Sequence, residues 1–114
     1  MAEESHAKIS GHLRKARDYT ILILKRGPRY QADAQNGKPI IWEHGKRNMS
    51  LREDGVLSVI CPIVGDEEYT GIGVFNRTIE EARRIMDDDP AVKARVLTYS
   101  VHAGKGFPGD MLPA

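Results

Sequence analysis

Apolar residues occupy consecutive positions in the segment YTILILK near the start of the chain. In an extended conformation Ile21 and Ile23 fall on one side and Leu22 and Leu24 on the other, because successive side chains of a strand point in opposite directions. Apolar residues on both sides are typical of a strand that is covered on both faces. The pattern therefore predicts a first strand, buried on both sides, that ends at the following Gly-Pro pair.

A helical period follows between Ile40 and Gly55. At 100° per residue the charged side chains collect on one side, which predicts an amphipathic helix ended by Gly55. The opposite, apolar arc contains Ile41, Trp42, Met49 and Leu51. Three polar residues interrupt this arc, and they are His44, Asn48 and Arg52. Polar residues on an inward face make this helix the first place to look for a site.

The remaining segments complete the predicted order of elements. VLSVICPIV and YTGIGVFN are typical of strands, and the turn GDEE between them makes a hairpin. TIEEARRIM begins with Thr78 and has Glu81 three residues later, which is the capping-box signature of a helix start. RVLTYSVH is the last predicted strand. The order β-α-β-β-α-β predicts an α+β, ferredoxin-like fold with a four-stranded antiparallel sheet and two helices on one face.

The chain divides into three predicted parts. Residues 1–18 are an N-terminal extension, helical or disordered, residues 19–103 form the domain, and residues 104–114 are a Gly/Pro-rich tail. Within the domain, RYQADAQNGKP is predicted to be a polar surface loop, with a lid as the less common alternative. Since two helices cover only one sheet face, the apolar second face predicts a homodimer that pairs sheet to sheet, as in a dimeric α+β barrel.

Composition narrows the classes of function. The 114 residues carry a net charge of +1 with acids and bases interspersed, so no basic stripe is available for nucleic acid. No run is long enough to span a membrane. The only cysteine, Cys61, excludes an intramolecular disulfide, and the four histidines lack metal-ligand spacing. We expect a cytoplasmic protein with neither cofactor nor metal.

Three acidic residues stand together in MDDDPAV, where the second helix ends. The helical phase points Asp87 and Asp88 to solvent and returns Asp89 to the apolar face. Asp89 precedes a proline, which predicts that it is the N-cap of a following turn. His44 is the matching inward polar residue on the first helix, so the two side chains are expected to meet. A carboxylate on one ring nitrogen would fix the tautomer and leave the other for proton transfer.

Four further residues are candidates for binding a small ligand. Asn48 and Arg52 lie one and two turns beyond His44, and either is able to orient a polar group. Cys61 is a candidate nucleophile facing His44, although a lone cysteine in a strand is more often a small buried hydrophobe. Trp42, at the edge of the apolar arc, is either core, cleft lining or a contact for a ring.

Taken together, these segments resemble the YCII-related family of small proteins within the dimeric α+β-barrel group. The matching parts are the strand YTILILKRGP, the helix-one histidine His44, the helix end REDGVL, the strand with Cys61-Pro62, and DDPAVKARV. The resemblance implies a homodimer with a His–Asp pair in a cleft near the sheet, here His44 and Asp89. It also implies cofactor-free chemistry on small ring compounds, such as dehydrohalogenation or isomerisation.

Three hypotheses follow for the function. The first is a small enzyme in which Asp89 orients His44 and His44 moves a proton on a small, cyclic or aromatic substrate. The second is a non-catalytic module that binds a small ligand or assembles with itself, in which the pair is a structural hydrogen bond. The third is a subunit that docks on another protein through its N-terminal extension.

Overall fold

A computed structural model describes residues 2–114 and the side chains of residues 8–114. Met1 and the side chains of the first helical turns lie outside the described part. The elements are α1 (Ala2–Lys15), β1 (Arg17–Arg26), α2 (Tyr30–Ala34), α3 (Ile41–Glu53), β2 (Leu57–Pro62), β3 (Tyr69–Phe75), α4 (Ile79–Asp87), α5 (Pro90–Lys93) and β4 (Leu97–Gly106). Within the N-terminal extension, expected to be helical or disordered, residues 2–15 form a helix, whereas Arg17 and Asp18 already belong to β1.

The strands form one four-stranded sheet in the order β2-β3-β1-β4. Every neighbouring pair is antiparallel. This confirms the α+β class and the antiparallel four-stranded sheet predicted from the sequence. The long central strand β1 pairs with β4 along its whole length and with β3 over residues 20–25, so the backbone groups of its middle part are satisfied without solvent.

One face of the sheet packs under the helices and carries the core. In β1 every second residue, Thr20, Leu22 and Leu24, is buried on this side. The buried apolar residues are Leu22, Leu24, Leu57, Phe75, Ala82, Met86, Ala91, Val96 and Leu97. They come from strands and helices of both halves of the chain, so the core joins the two halves.

The opposite face, which we call the open sheet face, has an apolar part formed by Ile21, Ile23, Val59, Ile72 and Val74, and Ser100 and His102 of β4 lie beside it. Direct cross-strand partners share a face, and the register pairs Ile21 with Val74, Ile23 with Ile72, and Val59 with Val74. Ile21 and Ile72 are 36% and 42% exposed. The first strand was predicted to be buried on both sides, but within the described residues only its helix-facing side is buried, and the open sheet face is partly exposed.

The fourth strand is longer than the sequence predicts. The Gly/Pro-rich tail was expected to begin at residue 104, yet β4 continues to Gly106 and pairs with β1 as far as Arg17. A side chain at Gly104 would place its Cβ 2.7 Å from Ile21 Cδ1, and one at Gly106 would come 2.8 Å from Tyr19 Cδ2. These glycines therefore let β1 side chains lie across β4, which is a recognised use of glycine in strands.

The segment predicted to be a polar loop contains the short helix α2. Its Asp33 is buried and accepts hydrogen bonds from the backbone amides of Ile40 and Ile41, at 2.8 and 3.1 Å. The first amides of a helix lack intrahelical partners, and here a carboxylate from the preceding turn supplies them. The loop is thereby attached to the start of α3, which makes it a support for that helix rather than a plain surface loop.

The end of α4 is built as the sequence predicts. Thr78 and Glu81 form the capping box, and α4 ends at Asp87. Asp89 then caps α5, accepting from the amides of Ala91 and Val92, with Pro90 at the first helical position. The short break between α4 and α5 turns the Asp89 carboxylate inward, toward α3.

In the described part of the chain, none of the helices is long and apolar enough to cross a bilayer.

Candidate functional site

His44 and Asp89 are in contact, as the sequence predicts. The ring nitrogen Nδ1 of His44 lies 2.8 Å from Oδ2 of Asp89, across the junction between α3 and the α4–α5 break. The His44 side chain is 10% exposed and that of Asp89 is fully buried. Because an ionised carboxylate only accepts hydrogen bonds, Nδ1 carries the proton that joins them.

The Asp89 carboxylate is satisfied on both oxygens. Oδ1 accepts from the backbone amides of Ala91 and Val92 at 2.9 and 3.3 Å. Oδ2 receives His44, and Nη1 of Arg47 lies 3.6 Å from the same oxygen. A buried carboxylate with several donors and a nearby cation is stabilised in its charged form.

These contacts act against burial on the pKa of Asp89. Burial raises this pKa, but the hydrogen bond and charge of His44 and the two backbone amides lower it, and the net result is a pKa below the ordinary value of 3.8. Asp89 is therefore a carboxylate at neutral pH.

The second ring nitrogen of His44 is also occupied. Nδ2 of Asn48 lies 3.1 Å from Nε2 of His44, and Asn48 is only 5% exposed. In a neutral ring with the proton on Nδ1, Nε2 has a lone pair and accepts from the amide. The Oδ1 atom of Asn48 is buried and finds no hydrogen-bond partner among the described residues. Both ring nitrogens of His44 thus have protein partners, and Oδ1 of Asn48 is left without one among the described residues.

A cavity of about 550 Å³ opens between α3 and the sheet, and His44 and Asn48 form part of its wall. Most of the remaining lining is apolar, including Leu22, Leu24, Ile41, Leu57, Ile60 and Leu97. Trp42 and Met49, which were placed in the apolar arc, are 68% and 54% exposed and lie at the edge of this cavity. A mostly apolar cleft of this size with a few convergent polar groups is typical of small-molecule sites.

The two other predicted ligand contacts, Arg52 and Cys61, differ in where the structure places them. Arg52 is exposed and does not line this cavity. Cys61 contributes to the cavity wall, but its cross-strand partner is Ile72, a residue of the open sheet face. Its side chain therefore points away from α3, and the thiol does not face His44 as the nucleophile hypothesis requires.

Asp87 and Asp88 are exposed, in agreement with their predicted phase. Asp87 accepts a 2.6 Å hydrogen bond from the hydroxyl of Tyr99. Asp88 pairs with Lys93 at 2.7 Å, and the pKa of Asp88 is lowered first by this hydrogen bond and then by the lysine charge. Both carboxylates therefore have their own partners at the surface, and only Asp89 of the three enters the site.

Sequence reasoning missed two features of the site. Asn48 was assigned to a ligand, although its spacing of four residues from His44 places the two on one helix face and could have predicted their bond. Arg47 was assigned to the polar side of α3, yet its guanidinium reaches Asp89 and is 26% exposed. No pattern signals this, because a long side chain can fold back from the edge of a face.

Within the part of the chain with described side chains, no three metal-ligating groups converge.

No protein-family model and no curated protein sequence matches this chain. The description of the site therefore rests on its own residues and distances.

Proposed function

We propose that this chain is a small enzyme that binds a compact, largely apolar ring compound beneath α3 and uses His44 as the proton-transferring group. The observation that carries this proposal is the position of His44 in the cavity wall, with Nδ1 held by the buried Asp89 carboxylate. A carboxylate on Nδ1 orients the ring and stabilises the positive charge that forms when Nε2 takes a proton. Loss of a leaving group such as halide, or return of the proton at a neighbouring carbon, would complete the reaction.

Proton transfer at Nε2 requires Asn48 to release that nitrogen. A neutral hydrogen bond contributes about 1 kcal/mol net, whereas even a millimolar ligand supplies about 4 kcal/mol. Ligand binding is therefore sufficient to displace the Asn48 amide, and a donor on the ligand would at the same time satisfy the unpartnered Oδ1. On this account Asn48 changes partner from His44 to the ligand.

A second candidate function is a binding module without catalysis. It is favoured by one observation, namely that both ring nitrogens of His44 already have protein partners. The His44–Asp89 pair would then fix α3 against the α4–α5 break, and the cavity would hold a ligand that is not transformed.

The fold and assembly belong to the same proposal. The strand order β2-β3-β1-β4 with helices on one face supports a ferredoxin-like domain, as in the YCII-related proteins that the sequence resembles. The exposed isoleucines of the open sheet face, Ile21 and Ile72, support a homodimer that buries this face. Light scattering of the wild type and of Ile72→Lys tests the assembly, since a charge in the middle of the face should give a monomer. A wild-type monomer would refute it.

Two probes test the function, hydroquinone and 2-chlorohydroquinone. Trp42 is the only tryptophan in the chain and lies at the cavity edge, so its fluorescence should report binding. In 2-chlorohydroquinone, transfer of a hydroxyl proton to the chlorine-bearing carbon, followed by loss of the second hydroxyl proton and of chloride, would leave 1,4-benzoquinone. The reaction would be detected as chloride release without oxygen. We expect His44→Gln to abolish release while His12→Gln, at an exposed position on α1, retains it.

The outcomes distinguish the two candidates. Binding with chloride release that depends on His44 supports the enzyme. Binding without release, unchanged in His44→Gln, supports the binding module and refutes the enzyme for this class of substrate. Absence of binding by both probes refutes a ring-sized ligand for this cavity.

A further inference from the structure

Arg47 is a charged residue beside the His44–Asp89 contact that the proposed chemistry has not yet used. Its Nη1 is buried, has no hydrogen-bond partner within the described side chains, and lies 3.6 Å from Oδ2 of Asp89. Nη2 of the same guanidinium lies 4.0 Å from Asp88. Arginine thus stands between two carboxylates at the point where His44 meets one of them.

The formal charges of this cluster balance without His44, because Lys93 offsets Asp88 at the surface and Arg47 offsets Asp89. Asp89 is negative and fully buried, and Arg47 provides a positive charge next to the oxygen that His44 also contacts. A proton added to His44 would place a second positive charge at that oxygen, in a ring that is only 10% exposed. The Asp89 carboxylate favours this charged ring, whereas repulsion from Arg47 and the loss of hydration disfavour it.

The orientation of the Asn48 amide is compatible with the same state. Its nitrogen faces Nε2 of His44, which is the arrangement that a neutral ring with a lone pair at Nε2 requires. A protonated Nε2 would need the amide to turn over and present its oxygen. Both the charge balance and the amide orientation therefore correspond to a neutral His44.

Other charged or titratable groups near the site do not replace Arg47. Lys46 lines the cavity but is 71% exposed and pairs with Glu43 at 3.3 Å. Lys93 pairs with Asp88 at the surface. Tyr30 lines the cavity from α2, and Cys61 contributes from β2, with its side chain on the far side of the sheet. Each of the two lysines has a carboxylate partner other than Asp89.

We propose that Arg47 is a positioning residue that acts through Asp89 to keep His44 neutral, so that Nε2 is a proton acceptor. The proposal rests on the proposed function for its catalytic meaning, but the ring state itself is a property of the ligand-free protein. Without Arg47, the buried carboxylate would lack its cation, and a proton on His44 would supply the missing positive charge. The site would then hold an acid where the wild type holds a base.

The test is the ¹H–¹⁵N spectrum of the imidazole rings at pH 7, without ligand, in wild type and in two neutral variants. We expect the His44 ring to carry one proton, on Nδ1, in the wild type and two protons in Arg47→Gln. Arg47→Met keeps most of the apolar stem and gives the same test if the glutamine variant does not fold. Arg84→Gln removes an exposed guanidinium from α4 and should leave the His44 ring as it is.

A charge-conserving variant separates charge from packing. Arg47→Lys should retain the singly protonated ring, because it restores the positive charge but not the shape of the guanidinium. The proposal is overturned if the ring stays singly protonated in the folded neutral variants, or if Arg47→Lys changes it as much as they do. If the wild type releases chloride at pH 7 but the His44 ring of Arg47→Gln is still singly protonated, the proposed role of Arg47 is refuted and that of His44 is not. Conversely, if the His44 ring of Arg47→Gln is doubly protonated but the wild type releases no chloride, the proposed enzyme activity is refuted and the role of Arg47 is not.

Discussion

Asp89→Asn is the most informative single substitution, because it removes one charge without changing the shape of a fully buried side chain. The amide oxygen can still accept from the two backbone amides that Oδ1 now serves, so the start of α5 keeps its cap. The amide nitrogen would instead face Nδ1 of His44 and Nη1 of Arg47, which are both donors. The substitution should therefore disrupt the hydrogen bond with His44 and leave the surrounding fold unchanged.

The structure allows the size of the effect to be worked out. Loss of a charge-assisted hydrogen bond costs about 1.5–3 kcal/mol, and removing one member of a buried ion pair costs about 3–5 kcal/mol. Because Arg47 is 26% exposed and water can hydrate part of its charge, we expect about 3 kcal/mol in total. Asp89→Ala should cost about 1 kcal/mol more, since it also removes the N-cap.

Urea unfolding at fixed protein concentration measures this loss. Asp88→Asn is the matched control, because it removes the same charge from the neighbouring, exposed position, and its midpoint should equal that of the wild type. The ring spectrum of Asp89→Asn should also show the proton of His44 moved to Nε2, since Nδ1 must then accept from the new amide. Equal stability of the two variants, with an unmoved ring proton, would refute the described pair.

The pH dependence of the same comparison follows from the lowered pKa of Asp89. A carboxyl whose pKa is lower in the folded chain contributes stability that is fully present above its ordinary pKa, 3.8, and is lost as the pH falls through the folded value. The stability difference between wild type and Asp89→Asn should therefore be constant around neutrality and shrink in acid below about 3.8. A difference that grows with acid would contradict the assignment of a charged Asp89.

Three further predictions concern the frame of the site. Burial, and then the hydrogen bond and charge of Asp87, raise the pKa of Tyr99 to about 12, so an absorbance step near pH 12 should be absent in Tyr99→Phe and occur earlier in Asp87→Asn. The stability linked to Tyr99 is present below pH 10 and declines as the pH rises toward 12. Thr78→Ala removes the N-cap of α4 and should cost about 1 kcal/mol in urea unfolding, and an unchanged midpoint would contradict the cap. Gly27→Ala would place Cβ 2.3 Å from the backbone oxygen of Arg95, so we expect a loss of about 3 kcal/mol, whereas wild-type stability would show that the two backbone segments are further apart.

Much of the site was predictable because it depends on local geometry. The helical period alone directed His44 inward, and the Asp-Pro pair alone identified Asp89 as a cap. Both side chains are held by their own helices, so knowing that the helices are neighbours was enough to bring them together.

The unpredicted features depend on contacts between distant segments. Gly104 and Gly106 belong to β4 because they pair with Tyr19 and Arg17 of β1, and the sequence of the tail carries no sign of that pairing. The reach of Arg47 to Asp89 depends in the same way on where the α4–α5 break sits. Cys61 was misjudged because one step of strand register decides which sheet face a side chain occupies.

The protonation of His44 is the most direct test of the central claim, and the ring nitrogens of the wild type at pH 7 report it before and after saturation with 2-chlorohydroquinone. We predict a proton on Nδ1 throughout, an unprotonated Nε2 in the free protein, and a change at Nε2 when the probe replaces Asn48. A ring that carries its proton on Nε2, or one whose two nitrogens are both unaffected by the bound probe, would contradict the claim that His44 presents a base to this cavity.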